Sequence, residues 1–363
     1  MRSGWLVVVL FCAGTHASAD DALGATLAST AGRLVAALPE DARREASFPF
    51  DDDEREDVRF APLFLDGARV GELPEAAASL TDELLAVSLS PRGVARVRQI
   101  RQNELAVAEK DERRGFPAFA VRWMRDPGRY FLAVFGEPAA DAPWGFRFEG
   151  HHLSLNLSVS PGAVPATTPL FLGAEPRVAP DGARVLGDEE AAARALLTAL
   201  PPELRARATL VFADDRDLML GQVRRVVLGT AAGVTRGEAP PEAQAEYDRL
   251  IELFAGNFAA PVAAARVAEI DAAGRDALRF AWAAPADPAN PRFYWRLSGP
   301  RTLIEMDNTT DGDHVHAVWH DPRDDFGDDL LAAHLRADHG LAWQAPRPSQ
   351  HAEGERSRSR SEP

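Results

Sequence analysis

Apolar residues recur along this chain with two different periods, and the change between them divides it. Over residues 23–38 they return every three or four positions, the spacing of one buried helix face. The acidic run Asp51-Asp52-Asp53-Glu54-Arg55-Glu56-Asp57 interrupts that pattern. It lacks the glycine and terminal glutamate of an EF-hand loop and reads as a solvated loop. Helical spacing resumes over 74–88. Ser90-Pro91 then has the form of an N-cap followed by proline in the first turn, opening a helix to about Lys110. Near Tyr130 the period drops to two. Residues 130–135 predict a strand. Residues 147–159 predict another, with Leu153, Leu155 and Leu157 on one face and His152, Ser154, Asn156 and Ser158 on the other. Residues 168–172 predict a short strand, Asp188 caps a helix through Leu200, and 209–212 form a further strand. Helices over 241–254 and 261–273 precede four strands, at 277–283, 293–298, 302–307 and 314–320. Their short connections predict antiparallel hairpins. A last helix, at about 326–337, places Phe326, Leu330 and His334 on one face. The fold class expected is α+β: a largely antiparallel β-sheet with helices packed on it and a helical N-terminal third.

The N-terminus carries a different pattern. Arg2, the short apolar run Trp5 to Cys12 and the small residues Ala17-Ser18-Ala19 have the layout of a cleavable secretory signal over residues 1–19. The run is about half the roughly 20 residues a membrane span needs. Phe11 before Cys12 argues against a lipoprotein, which takes a small residue there. Residues 20–345 then read as one domain without a dividing linker or an internal repeat, and 346–363 as a disordered Pro/Ser/Arg/Glu tail. The expected location is periplasmic or extracellular.

Cys12 is the single cysteine and falls in the signal. The mature chain therefore has no thiolate to offer as nucleophile or ligand, and any metal site must be built from His, Asp and Glu. A net charge of -15 makes the chain a poor partner for nucleic acid or an anionic membrane; the partner expected is a small-molecule substrate. No phosphate-cradling glycine loop, nucleophile elbow or H-E-x-x-H helix is present.

The histidines are clustered. Two stand in Glu149-Gly150-His151-His152 and three in His314-Val315-His316-Ala317-Val318-Trp319-His320, with His334 and His339 following. On an extended strand His314 and His316 point the same way, so the pair offers two imidazoles to one metal. His151 and His152, read as strand neighbours, face opposite sides. Either His152 with the polar face or His151 with Glu149 completes a site. Glu305, on an otherwise apolar strand, needs a partner if buried. It is a candidate ligand, an orienting group or a general base.

These segments also carry a family resemblance. Residues 144–156 (WGFRFEGHHLSLN), 168–174 (TPLFLGA) and 314–322 (HVHAVWHDP) resemble the DUF3500 family of bacterial and fungal domains of unknown function. Asp325-Phe326-Gly327, Leu330-Leu331, Ser298-Gly299-Pro300, 305–308, Arg125-Asp126-Pro127 and Phe135-Gly136 fit it too. The resemblance covers nearly all of the mature chain. It implies that Glu149, His151, His152, Glu305, His314 and His316 belong to the family's motifs. The chain departs from the pattern at His320, where the family usually has arginine.

The expectation is an exported metal-dependent enzyme, first a hydrolase, with a divalent transition metal on His151 or His152, His314 and His316, and Glu149 or Glu305 as ligand or base. Zinc is favoured; copper or iron on the same ligands would make an oxidase. The alternatives are a non-catalytic exported protein that binds a metal or small ligand, and histidines that merely line a polar seam. Expressed whole in a host with a secretory pathway, the mature protein should begin at Asp20. N-terminal sequencing that finds Met1 or Arg2 would rule out cleavage.

Overall fold

The computed structural model describes residues 19–61, 65–212 and 232–328. Prolines and small caps set most of the helix boundaries. Helix α1 (Ala19–Ala37) stops before Pro39, which opens α2 (Glu40–Ala46). Helix α3 (Glu75–Ser88) begins after Pro74. Ser90 caps α4 (Pro91–Arg113), its hydroxyl accepting from the backbone N–H of Gly93 at 3.1 Å. The short α5 (Ala118–Met124) follows Pro117. The later helices are α6 (Gly187–Ala199), α7 (Pro202–Ala208), α8 (Pro241–Ala255) and α9 (Ala260–Ala272). The helical N-terminal part and the α+β class are as expected. Asp188 is not the cap of α6: Leu186 holds that position, and Asp188, Glu189 and Glu190 fill the first turn, where carboxylates favour the helix dipole.

The strands are β1 (Ser47–Phe48), β2 (Ala68–Arg69), β3 (Tyr130–Phe135), β4 (Trp144–Gly150), β5 (Leu153–Val159), β6 (Leu170–Ala174), β7 (Val234–Thr235), β8 (Arg279–Ala283), β9 (Tyr294–Gly299), β10 (Thr302–Asp307) and β11 (Val315–His320). They form one sheet in the order β1-β3-β4-β5-β6-β11-β10-β9-β8-β7, with β2 beside β1 on the outer edge of β3. All pairings are antiparallel except β1 with β3. The expected strand at 209–212 is a single parallel bridge from Thr209 to Trp282. Of the expected helix at 326–337, only a short 3-10 turn at Asp325–Gly327 lies among the described residues. The expected signal apart from Ala19, the expected tail, His334 and His339 lie outside them.

Two expectations fail, each for a physical reason. Residues 147–159 are not one strand. Gly150 pairs with Leu153, so His151 and His152 form a two-residue turn between β4 and β5. Neither is a usual turn residue, so the alternation reads straight through the bend. The acidic run is not simply solvated either. Arg55 is buried, its Nη1 donating to the Phe326 carbonyl at 2.6 Å, and Glu54 pairs with the buried Arg147.

The chain also repeats itself, which the sequence reading missed. Two helices, a short parallel edge contact, an antiparallel edge strand, a 3-10 turn, two more helices and four antiparallel strands occur twice in order. Helix α1 packs on α3 as α6 packs on α8. The halves meet where β6 pairs with β11. A few residues mark the copies: Ala37-Leu38-Pro39 and Ala199-Leu200-Pro201, Ala95-Arg96-Val97 and Ala265-Arg266-Val267, Glu175-Pro176-Arg177 and Asp321-Pro322-Arg323. Their spacing is not constant, so no fixed period appears.

One face of the sheet is apolar and packed under the helices, through Phe146, Phe148, Leu153, Leu155, Trp295, Ile304, Ala317 and Trp319. The opposite face carries Arg147, Glu149, Ser154, Asn156, Glu305, Asp307, His316 and His320, and it too is buried. The halves are also joined at the start of α4, where Ser90 N–H donates to Asn257 O at 3.0 Å. Gly93 has no room for a side chain there: a Cβ would lie 2.0 Å from Asn257 O. Alanine improves helix propensity by about 1 kcal/mol. Forcing a methyl into a packed contact costs about 1–3 kcal/mol. Gly93→Ala should therefore lower stability on balance, read as a reduced urea midpoint; an unchanged or higher midpoint would refute the contact.

Candidate metal centre

The site is built at one end of the central strand pair. His151 and His152 come from the β4–β5 turn, Gly173 from the end of β6, and His314 and His316 from the start of β11. Three hydrogen bonds pin the turn: Tyr130 hydroxyl to His151 O (2.8 Å), His152 N–H to Phe60 O (3.0 Å) and Gly173 N–H to His152 O (2.7 Å). His152 has φ +64°, a backbone conformation rare for residues other than glycine and often held at functional sites. The pinned turn stacks the two rings, with centroids 3.7 Å apart.

Gly173 lies opposite His316 in the β6–β11 ladder. A Cβ on it would stand 2.9 Å from His152 Cδ2 and 3.0 Å from His316 Cδ2. The two rings thus converge over bare backbone. His152 Nε2 and His314 Nε2 are 2.7 Å apart, and the ring centroids of His314 and His316 are 4.5 Å apart. Phe60 stacks on Phe171 and both flank His316.

Among the described residues, two sets of side chains bring possible ligand atoms within 4.8 Å of one another: His152, His314 and His316, and Glu104, His151 and His152. They are not equivalent. In the second set His151 Nδ1 is 2.6 Å from Glu104 Oε1, and Arg125 Nη1 is 2.9 and 3.1 Å from Nδ1 and Nε2. Arginine can only donate, so at least one ring nitrogen accepts from Arg125, and the contact of Nδ1 with Glu104 carries a proton from the ring or from the carboxyl. Both ring nitrogens of His151 are then engaged, and a cation there would meet the guanidinium. In the set of three histidines, His152 Nε2 faces His314 Nε2 and not a guanidinium. His314 Nδ1 lies 3.6 Å from Glu175 Oε2, and Lys110 Nζ holds the other Glu175 oxygen at 2.7 Å.

Burial, reinforced by Arg125, keeps the His151 ring well below its ordinary pKa. Burial and the neighbouring histidines do the same for His152. Neutral imidazole is the form a metal takes. Burial pushes Glu104 up to about 8 against the pull of Arg125, and its Oε2 has no hydrogen-bond partner. That places a proton on Glu104 at neutral pH.

The two glutamates singled out in the sequence stand elsewhere on the polar face. Glu149 lies against Arg147 Nε at 3.0 Å, an ion pair whose angle falls short of a hydrogen bond. Glu305 accepts from the Tyr294 hydroxyl at 2.5 Å and pairs across the strand with Val318. Neither belongs to the two sets. His320 is also apart, buried and bonded through Nδ1 to Asp325 Oδ2 at 2.6 Å. Glu104, Glu175, Arg125 and Gly173 were missed as site residues. Arg125 and Gly173 stood in segments that carry the family resemblance, without a role, and the buried Glu104 on the inner face of α4 left a trace that helical periodicity could have raised.

Residues 21–328 match the family model described as a protein of unknown function, DUF3500. The chain belongs to the DUF3500 family. No curated protein and no solved structure matches it. The family match spans both halves of the repeat, so the histidine cluster and its counterpart in the second half fall within one DUF3500 unit.

Burial raises Glu149 from its ordinary 4.5 to about 8, although Arg147 pulls the other way. A carboxyl whose folded pKa is raised contributes stability below its unfolded pKa and loses it as pH rises through the folded value. The metal-free protein should thus lose stability from about pH 4.5 to 8. Glu149→Gln, which mimics the protonated acid, should flatten that decline in urea titrations. An equal slope in both proteins would show that Glu149 is ionised throughout.

Proposed function

We propose that this DUF3500 protein is an exported metal-dependent enzyme, a hydrolase acting on a small molecule, with zinc on His152, His314 and His316. The observation that carries the reading is the convergence of these three imidazoles, from two separate parts of the chain, over the side-chain-free Gly173. The donor set fits a divalent transition metal, because zinc takes neutral imidazoles and catalytic sites use three protein ligands with one position open. Two ligands on a tetrahedral zinc lie about 3.3 Å apart at zinc–nitrogen distances near 2.0–2.1 Å. His152 and His314, at 2.7 Å, need to separate only slightly.

A bound divalent ion would supply a Lewis acid and make water acidic enough to serve as a nucleophile near neutral pH. The chain's own residues do the rest. Glu175 lies beside His314 Nδ1 and favours the orientation that presents Nε2 to the cluster. Glu104 fixes the His151 ring, and His151 backs His152 through the stacked contact. Phe60 and Phe171 exclude water from one side of His316. Among the described residues, the Glu104 and Glu175 carboxyls lie beside the rings of His151 and His314, which makes them better placed for proton transfer than Glu149 or Glu305. Export rests on the N-terminal pattern of Arg2, the apolar run and Ala17-Ser18-Ala19. No helix among the described residues is long and apolar enough to cross a membrane.

Protein purified without a histidine tag should contain about one zinc per chain, or take it up on addition, by elemental analysis. His152→Ala, His314→Ala and His316→Ala should each lose it, whereas His320→Ala should retain it. Uptake of copper or iron in preference to zinc would favour the oxidase. An absence of bound metal with all three ions would sink the assignment.

A further inference from the structure

Arg125 is the charged side chain at the histidine cluster to which the metal reading gives no task. It follows α5 directly. Its Nε donates to Asp111 Oδ2 at 2.9 Å, and Asp111 is itself buried, so the direction of the guanidinium is fixed. Nη1 rests against the edge of His151. Nη2 makes no hydrogen bond among the described residues. The side chain is 14% exposed, enough for a ligand to reach it.

The neutral His151 ring accepts from this guanidinium, and Asp111 balances its charge on the Nε side. A guanidinium stays charged in any protein environment, and here it opposes protonation of both His151 and His152 and repels an arriving cation. Asp111 occupies the Nε side only. An arginine tied through Nε and presenting its Nη edge has the fork that pairs with a carboxylate or phosphate through charge-assisted hydrogen bonds. The ring stack places this fork one imidazole away from His152.

We propose that Arg125 is the oxyanion-binding residue of the site: the substrate carries a carboxylate or a chemically similar oxyanion, held by Arg125 while its reacting group faces His152, His314 and His316. The location of the reacting group rests on the metal reading; the anion affinity of Arg125 does not.

The test is calorimetric titration of the full-length, zinc-loaded protein with acetate and, separately, inorganic phosphate at constant ionic strength. The wild type should bind at least one of them, and whichever binds more tightly identifies a carboxylate or a phosphate site. Arg125→Gln should weaken that binding tenfold or more with zinc content unchanged. Arg125→Lys, which keeps the charge and loses the fork, should fall between them and serves if the glutamine variant does not fold. Equal affinity in wild type and variants, or no binding of either anion by the wild type, would overturn the proposal. If the wild type takes up no zinc, the same titrations on the metal-free protein still decide the matter. Arginine-dependent binding there would uphold the oxyanion site while the metal reading falls.

Discussion

The close approach of His152 and His316 over the bare backbone of Gly173 is the constraint around which this end of the sheet is organised. Protein interiors are packed too densely to leave a methyl-sized space unused without a reason. Here the missing Cβ is filled by two imidazole edges, one from each side. For His152 to reach that position, the chain must reverse within two residues after Gly150. It must also hold a positive φ without glycine's freedom. Such strain, of order 1–3 kcal/mol, persists only where the surroundings over-determine it. Hydrogen bonds from Tyr130, to Phe60 and from Gly173 do so at this turn.

The sheet around the turn is buried on both faces, but by different means. The helical side is apolar and needs no pairing. On the other side a buried charge must be matched or neutralised. The chain uses both solutions: Arg147 is held by the Glu54 and Asp57 carbonyls and by the Glu54 carboxylate, while burial drives Glu149 toward its neutral form. The acidic run belongs to this arrangement. Its Glu54 caps Arg147 of the sheet and its Arg55 ties the run to the Phe326 carbonyl, which no local reading of seven charged residues reveals.

What the sequence discloses follows from the range of the forces involved. Strands 130–135 and 302–307 have the predicted bounds, because a short apolar run ended by turn residues is a local property of the sequence. The Ser90-Pro91 helix start is local as well, and the structure has it as read. The turn at His151-His152 is invisible, because its geometry is imposed by tertiary hydrogen bonds and not by turn residues. Glu104 and Arg125 reach His151 across 47 and 26 residues, from helices whose own periodicity has no knowledge of the turn. The histidines grouped in the sequence do meet at one end of the sheet. Their grouping could not say that both members of one pair sit in a bend, which is what places His151 behind His152.

The internal repeat provides a comparison within the molecule. In the second half the β9–β10 turn carries Pro300-Arg301 where the first half has His151-His152, and Asp321 follows β11 where Glu175 follows β6. Arg301 pairs with Asp321 at 2.8 Å, and Arg266, Glu269 and Asp324 complete a buried ion network. Opposite charges pair there and close the sheet end with arginine and carboxylate in place of imidazole. The first half meets the same steric problem with uncharged imidazoles, whose burial lowers their affinity for protons, and with an arginine that repels any they might gain. If closing the sheet were the only requirement, the ion network would serve at both ends. The histidine end accepts a strained turn and a side-chain-free strand position, and those costs fall where a metal and an anionic ligand would offset them.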